Sequence, residues 1–336
     1  MKYTQTMSEA LADVREGFSK KEIKMAIGVA SDPRYKQGNY TGAVNAIEKI
    51  KKGPGFIAAL DQSGGSTPKA LQNYGITSDE WSNEEEMFSL VHKMRERIVS
   101  NPSFNGDKII GAILFEKTMN SKFCGLDCAD YLWDKKNIVP FLKIDKGLAD
   151  EEDGVQVMKP NPHLLDILKI ARKKGIFGTK MRSVIKTPNP SGIKRVVRQQ
   201  FDTARIIMDE GFVPIIEPEV DIHCKTKSET EVILLEFLCA ELNNLHNDDR
   251  IIFKLTLPDL PNFYQDLCKE EKVLRVVALS GGYAQNVANE KLSKNNGVIA
   301  SFSRALTESL YVKMTDKTFT ETIEMAIDNI YNASIT

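Results

Sequence analysis

Residues 251–258 read Ile-Ile-Phe-Lys-Leu-Thr-Leu-Pro, one cation (Lys254) inside an apolar run that a proline closes. A segment this short, apolar and rich in β-branched residues reads as a strand buried on both faces, the state of parallel strands covered by helices. Runs of the same kind lie on either side of it. Upstream are 56–61 (FIAALD), 109–115 (IIGAILF), 138–145 (IVPFLKID), 175–184 (GIFGTKMRSV) and 212–220 (FVPIIEPEV); downstream are 276–282 (VVALSGG) and 298–303 (VIASFS). The stretches between carry apolar residues at helical spacing. Residues 84–100 put Met87, Leu90, Val91, Met94 and Ile98 on one stripe, and 194–210, 228–245 and 284–292 are similar. Eight strands alternating with helices predict an α/β fold, a (β/α)8 TIM barrel. An open doubly wound sheet is the rival on strand count alone. The chain has neither GxGxxG nor GxxxxGK[ST], which weakens that rival's nucleotide-binding versions.

The first fifty residues are more polar. Residues 9–18 have the pattern of an amphipathic helix and 38–42 that of a loop, so 1–54 reads as an N-terminal helical extension packed on a single barrel domain spanning 1–336. Residues 318–334 (TFTETIEMAIDNIYNAS) predict a helix at the other end.

Composition narrows the function classes. The chain has 336 residues, 45 basic and 46 acidic, a net charge of −1, with 42% hydrophobic and 27% charged residues. Such a chain can bury a full core, and it lacks the basic field that nucleic acids or membrane surfaces select. Five cysteines, Cys124, Cys128, Cys224, Cys239 and Cys268, are too few and too scattered for a disulfide framework, and they point to a reducing compartment. The charged first thirty residues lack a secretory h-region, and no apolar stretch approaches the ~20 residues of a membrane span. The expectation is a cytoplasmic protein. His92, His163, His223 and His246 fall in no HExxH, and no cysteines in CxxC, so no metal is expected. His223-Cys224 reads as an ordinary loop pair.

The chemistry is read from where charge interrupts the strands. Lys143 and Asp145, Lys180 and Arg182, and Glu217 and Glu219 are each two residues apart, so each pair faces one side of its strand. Asp61 closes the first run, Lys254 interrupts the sixth, Ser280-Gly281-Gly282 ends the seventh and Arg304 follows the eighth. On a barrel these positions converge at the C-terminal face, where five cations and four anions favour an anionic ligand. Lys254 stands out, because a lysine amine in a positive field, here from Lys180 and Arg182, turns nucleophilic toward a carbonyl. Glu217 or Glu219 can supply the acid that dehydrates the resulting carbinolamine. Bare glycine N–H groups near Ser280 with the Arg304 fork, and Ser63, Gly64, Gly65 and Ser66 with Lys143, read as two phosphate cradles.

FIAALDQSGGSTPKAL, FLKIDKG, GTKMRSV, PIIEPEV, FKLTLP, ALSGG and SFSRAL, in this order, resemble class I fructose-bisphosphate aldolases, in the shorter bacterial and algal form. The resemblance implies reversible, metal-independent cleavage of fructose 1,6-bisphosphate, with no cofactor beyond a Schiff base on Lys254. It implies Glu217 as general acid/base with Glu219 beside it, Lys180 tuning the imine-forming lysine, and Asp61 handling the C4 hydroxyl proton. Arg182 and Lys143, with Ser63 and Ser66, would hold substrate oxygens or the 6-phosphate. Ser280, Gly281, Gly282 and Arg304 would hold the 1-phosphate. A homo-oligomer is also suggested. Three departures stand out: Gln62 replaces an acid of the longer animal-type enzymes, Lys69-Ala70 lacks a basic residue those enzymes use for the 6-phosphate, and the chain ends in Ser334-Ile335-Thr336 where they carry a tyrosine. Rival readings are another imine-forming barrel enzyme of the transaldolase kind, and a non-catalytic sugar-phosphate-binding protein.

Overall fold

A computed structural model describes residues 40–63 and 65–336. The helix expected over 9–18 and the glycine at 64 lie outside these residues. Eight strands run β1 Phe56–Leu60, β2 Ile109–Leu114, β3 Val139–Lys143, β4 Gly178–Ile185, β5 Val213–Val220, β6 Ile251–Thr256, β7 Val273–Leu279 and β8 Val298–Ala300. Each pairs in parallel with the next, in chain order. The seam between β8 and β1 is closed by the Ala59 N–H, which donates to the Phe302 carbonyl at 3.2 Å. The result is the expected (β/α)8 barrel. A short strand, Val155–Gln156, pairs antiparallel with the far end of β4.

Besides short helical turns in the loops, such as Glu116–Met119, the helices are α1 Tyr40–Lys52, α2 Thr67–Tyr74, α3 Glu84–Ser100, α4 Leu164–Lys173, α5 Pro190–Asp209, α6 Lys227–Asn243, α7 Gln285–Leu292, α8 Arg304–Thr307 and α9 Asp316–Ser334. Asn83, Asn189 and Thr315 accept backbone N–H bonds as N-caps of α3, α5 and α9, which sets where those helices begin. No helix among the described residues is long and apolar enough to cross a membrane.

Two apolar layers follow from strand parity. On β1, Phe56, Ala58 and Leu60 face the helices, whereas Ile57 and Ala59 face the barrel axis. The axial set continues through Ile110, Ile113, Val139, Phe141, Val213, Ile215, Ile252, Val277 and Ile299. It fills the N-terminal half of the barrel, where burial of each large side chain contributes roughly 1.5–3 kcal/mol. From below, α1 adds Ala46, Ile47 and Ile50 to this layer.

Several sequence boundaries move by a few residues. Within the loop read over 38–42, the chain is already helical from Tyr40. β7 starts at Val273, three residues earlier than the apolar run suggested. Arg275 hid that start, and its charge has a use: its Nε and Nη2 donate to the carbonyls of Ile50 and Gly53, both at 2.8 Å, and so satisfy the C-terminal end of α1.

Candidate active site

The axial parity that is apolar at the barrel floor turns charged at its C-terminal end. Two residues beyond Ala59 comes Asp61; beyond Phe141, Lys143; beyond Ile215, Glu217 and then Glu219; beyond Ile252, Lys254. On β4, Met181 faces the helices, so Lys180 and Arg182 point inward. A cavity of about 460 Å³ opens over this layer. Asp61, Ser63, Ser66, Lys143, Lys180, Arg182, Glu217, Glu219, Lys254, Ser280, Gly281 and Arg304 all line it. Gly282 falls just outside the lining, next to Arg304: a Cβ there would sit 3.3 Å from Nη2 of that arginine. Asp145 and His223-Cys224 do not line it either.

Lys180 is the hub. Its Nζ lies 2.6 Å from Oδ2 of Asp61 and 2.8 Å from Oε2 of Glu217, bridging β1 to β5 across the barrel. The other oxygen of Glu217, Oε1, lies 3.2 Å from Nζ of Lys254. All four groups are buried. Burial opposes the charge of Asp61, but Lys180, Lys254 and Lys143 outweigh it and hold the carboxyl below the usual carboxylate range. Burial likewise opposes the charge of Lys180, and Asp61, Glu217 and Asp145 overcome it, raising its pKa. The backbone N–H of Glu217 is fixed by Oε1 of Gln200 on α5, at 2.9 Å.

The other two charged pairs are self-contained. Lys143 donates to the side chain and to the carbonyl of Asp145. Arg182 donates through Nε to Glu219. This corrects the sequence reading of Arg182 as a cation lending its field to Lys254: its charge is matched by Glu219, and Lys180 is the cation in the lysine–glutamate network.

The two ends of the cavity differ. At the β7–β8 end, Gly281 has φ +61° and a Cβ there would lie 2.5 Å from Cγ2 of Ile222, so only glycine fits the turn that presents Ser280 beside Arg304. Among the described residues no carboxylate lies within ion-pair distance of Arg304, which leaves its fork open to an anion. At the β1 end the Ser63 carbonyl accepts from the N–H groups of Ser66 and Thr67, both at 2.9 Å, and starts α2. Lys69 and Asn73 project from α2 onto the cavity. Among the described residues no three His, Cys, Asp or Glu side chains are grouped to hold a metal ion.

Gln62 and Lys69, noted in the sequence only as departures, line the cavity, and sequence reasoning passed over Asn73, Ser301, Ser303 and Thr307 on it and Gln200 and Arg95 behind it. Gln200 lies within the span read as helix, but its tie to the Glu217 backbone is long-range and leaves no local trace. Arg95 did leave a signal. It sits four residues after Val91 and three before Ile98, on the apolar stripe of α3, where an arginine is out of pattern.

A family model described as fructose-bisphosphate aldolase class-I matches residues 43–262. The chain is 56% identical over 290 residues to the fructose-bisphosphate aldolase class 1 of Synechocystis, which covers 86% of this chain and 97% of that protein. It is equally identical, over the same length, to the enzyme of that name from Clostridium acetobutylicum, covering 98% of it. Identity to the Porphyromonas gingivalis enzyme is 52% over 289 residues, 86% of this chain and 98% of that one. The solved structure of Plasmodium falciparum fructose-bisphosphate aldolase, in complex with TRAP and an inhibitor, superposes with a TM-score of 0.68 at 19% identity. It covers 95% of this chain and 96% of its own, and at that identity speaks for the shared fold.

Proposed function

The chain belongs to the class I fructose-bisphosphate aldolase family, and from that premise we propose how its own residues carry the reaction, the reversible cleavage of fructose 1,6-bisphosphate to dihydroxyacetone phosphate and glyceraldehyde 3-phosphate in glycolysis and gluconeogenesis. The family works through a covalent Schiff base and without metal. Lys254 is the imine-forming lysine. The observation that carries this is its 3.2 Å approach to Oε1 of Glu217 while Lys180 holds Oε2. Moving one proton from the Lys254 ammonium to Glu217 leaves the net charge of the buried cluster unchanged, so the low dielectric does not penalise it. That single transfer yields both groups the first step needs: a free amine to attack C2 of the ketose, and an acid to protonate the departing carbinolamine oxygen.

Loss of water leaves a protonated imine, which draws the electrons of the C3–C4 bond when it breaks. Asp61, kept ionised by Lys180, accepts the C4 hydroxyl proton, and the aldehyde product leaves. The enamine is then protonated at C3 and hydrolysed, returning Lys254. Ser280, Gly281 and Arg304, with Gly282 beside them, hold the 1-phosphate. Ser63, Ser66, Lys143 and Arg182 attend the opposite end, and Glu219 keeps the Arg182 guanidinium in place.

We further infer a cytoplasmic setting, which the five free cysteines support, and self-association of the chain, consistent with Leu165 and Ile170 of α4 standing exposed.

Cleavage of fructose 1,6-bisphosphate, followed by a coupled assay of triose phosphate, tests the activity. Preincubation with EDTA is expected to leave the rate unchanged. A rate lost to EDTA and restored by zinc would contradict the Schiff-base route, as would binding of the bisphosphate without turnover.

A further inference from the structure

Arg95, on α3, is 1% exposed, and among the described residues no carboxylate lies within ion-pair distance of it. A guanidinium buried in this way is costly, and burial pulls its pKa down to about 10. It does not line the cavity, so it does not touch substrate. What it touches is the β1 end: Nη2 donates to the carbonyl of Gln62 at 2.7 Å and to its Oε1 at 3.1 Å, and Nη1 donates to Oγ1 of Thr118 at 2.7 Å. With both oxygens of Gln62 engaged, its amide cannot flip. Its Nε2 is thereby aimed at Oγ of Ser303 and donates to it at 2.6 Å. Ser303 immediately precedes Arg304.

We propose that Arg95 is a positioning residue that acts through Gln62 on Ser303, locking the strand end that carries Asp61 to the one that carries Arg304. The lock lies at the β8–β1 seam, beside the Ala59–Phe302 backbone bond. It depends on a neutral residue at 62. A carboxylate there would pair with Arg95 directly and offer Ser303 no donor. The inference rests on the proposed roles of Asp61 and Arg304, and deepens them by naming what holds the acid and the phosphate fork at a fixed separation.

The test is steady-state kinetics on fructose 1,6-bisphosphate for Arg95→Met, Gln62→Leu, Ser303→Ala and the Gln62→Leu/Ser303→Ala double variant. Each single change is expected to raise KM about three- to tenfold, the effect of losing the Gln62–Ser303 hydrogen bond that all three disturb, with kcat within about twofold. The double variant is expected to be no worse than the worse single, because both remove one contact. Arg95→Lys is not expected to restore KM, since an ammonium cannot reproduce the fork. If Arg95→Met does not fold, Gln62→Leu reads the same coupling. An unchanged KM in Gln62→Leu or Ser303→Ala, or penalties that multiply in the double variant, would overturn the proposal. A merely structural Arg95 would lower the folded fraction and leave KM alone. Borohydride trapping on the unaltered chain separates the two levels: absence of label on Lys254 would count against the reaction scheme, whereas the KM pattern speaks to Arg95.

Discussion

Replacing Lys254 by Met is expected to leave a folded barrel that cleaves fructose 1,6-bisphosphate more slowly by on the order of 10⁴-fold or worse. The side chain sits within β6, its neighbours Phe253 and Leu255 face the helix layer, and Met keeps most of its volume. Glu217 loses the 3.2 Å contact but keeps Lys180 at 2.8 Å, so it is not left without a cation. The stability change is therefore expected to be small, about 1–2 kcal/mol at most. The chemistry has no such reserve: Lys180, the other lysine on Glu217, is held protonated between two carboxylates, and Lys143 is bound to Asp145. Urea unfolding and a coupled rate assay on the same preparation check both halves. A variant that keeps more than a few per cent of the rate would remove Lys254 from the mechanism.

Lys180→Met is expected to fail in the opposite way, in stability as well as in rate. Removing one partner of a buried ion network costs about 3–5 kcal/mol, since a carboxylate left behind without its ion-pair partner is poorly solvated. Here Asp61 loses its ion-pair partner, and Glu217 is left with Lys254 alone. The pH dependence should invert. In the unaltered chain the Asp61 carboxyl is held below its ordinary value of 3.8, so its contribution is present above that value and is lost as pH falls through the folded pKa. Lys180 is held above its ordinary 10.5, so its contribution is full below that value and is lost as pH rises through the folded pKa. Between these limits the contributions of Asp61 and Lys180 are flat. Without Lys180 the largest charge offsetting the burial of Asp61 is gone and its carboxyl moves up, so the variant is expected to gain stability on acidification from pH 8 toward pH 5. Chemical denaturation across that range checks it. A variant whose stability is unchanged at pH 8 would show that Lys180 is not the hub.

The contrast between the two lysines also marks what could be read from sequence. Eight apolar runs, their order and their charged upper ends were legible because burial on both faces leaves a continuous apolar signature, and the i, i+2 rule then assigns each charge to one face. The helices α2 and α4 went unread: α2 is eight residues of mixed character, and α4 is ten residues with Leu165 and Ile170 exposed, which blurs its stripe. Pairing was less legible than position. Lys180 and Arg182 are neighbours in sequence but part company in space, the first reaching Asp61 on β1 and Glu217 on β5, the second reaching Glu219. Only Lys143 and Asp145 close on each other as their spacing suggested. Which charges meet depends on strand register and barrel closure, and neither is written in any local stretch. Gln62 and Arg95 belong to the same class: each stands out in its own segment, but what it pairs with comes from the seam where β8 returns to β1.

The most direct measurement is to incubate the protein with dihydroxyacetone phosphate, reduce with borohydride, and locate the adduct by peptide mass mapping. The expected result is a single reduced adduct on Lys254, with irreversible loss of activity in proportion to labelling. An adduct on any other lysine, or full activity after exhaustive reduction in the presence of the ketose phosphate, would contradict the central claim that a buried amine beside Glu217 carries the reaction.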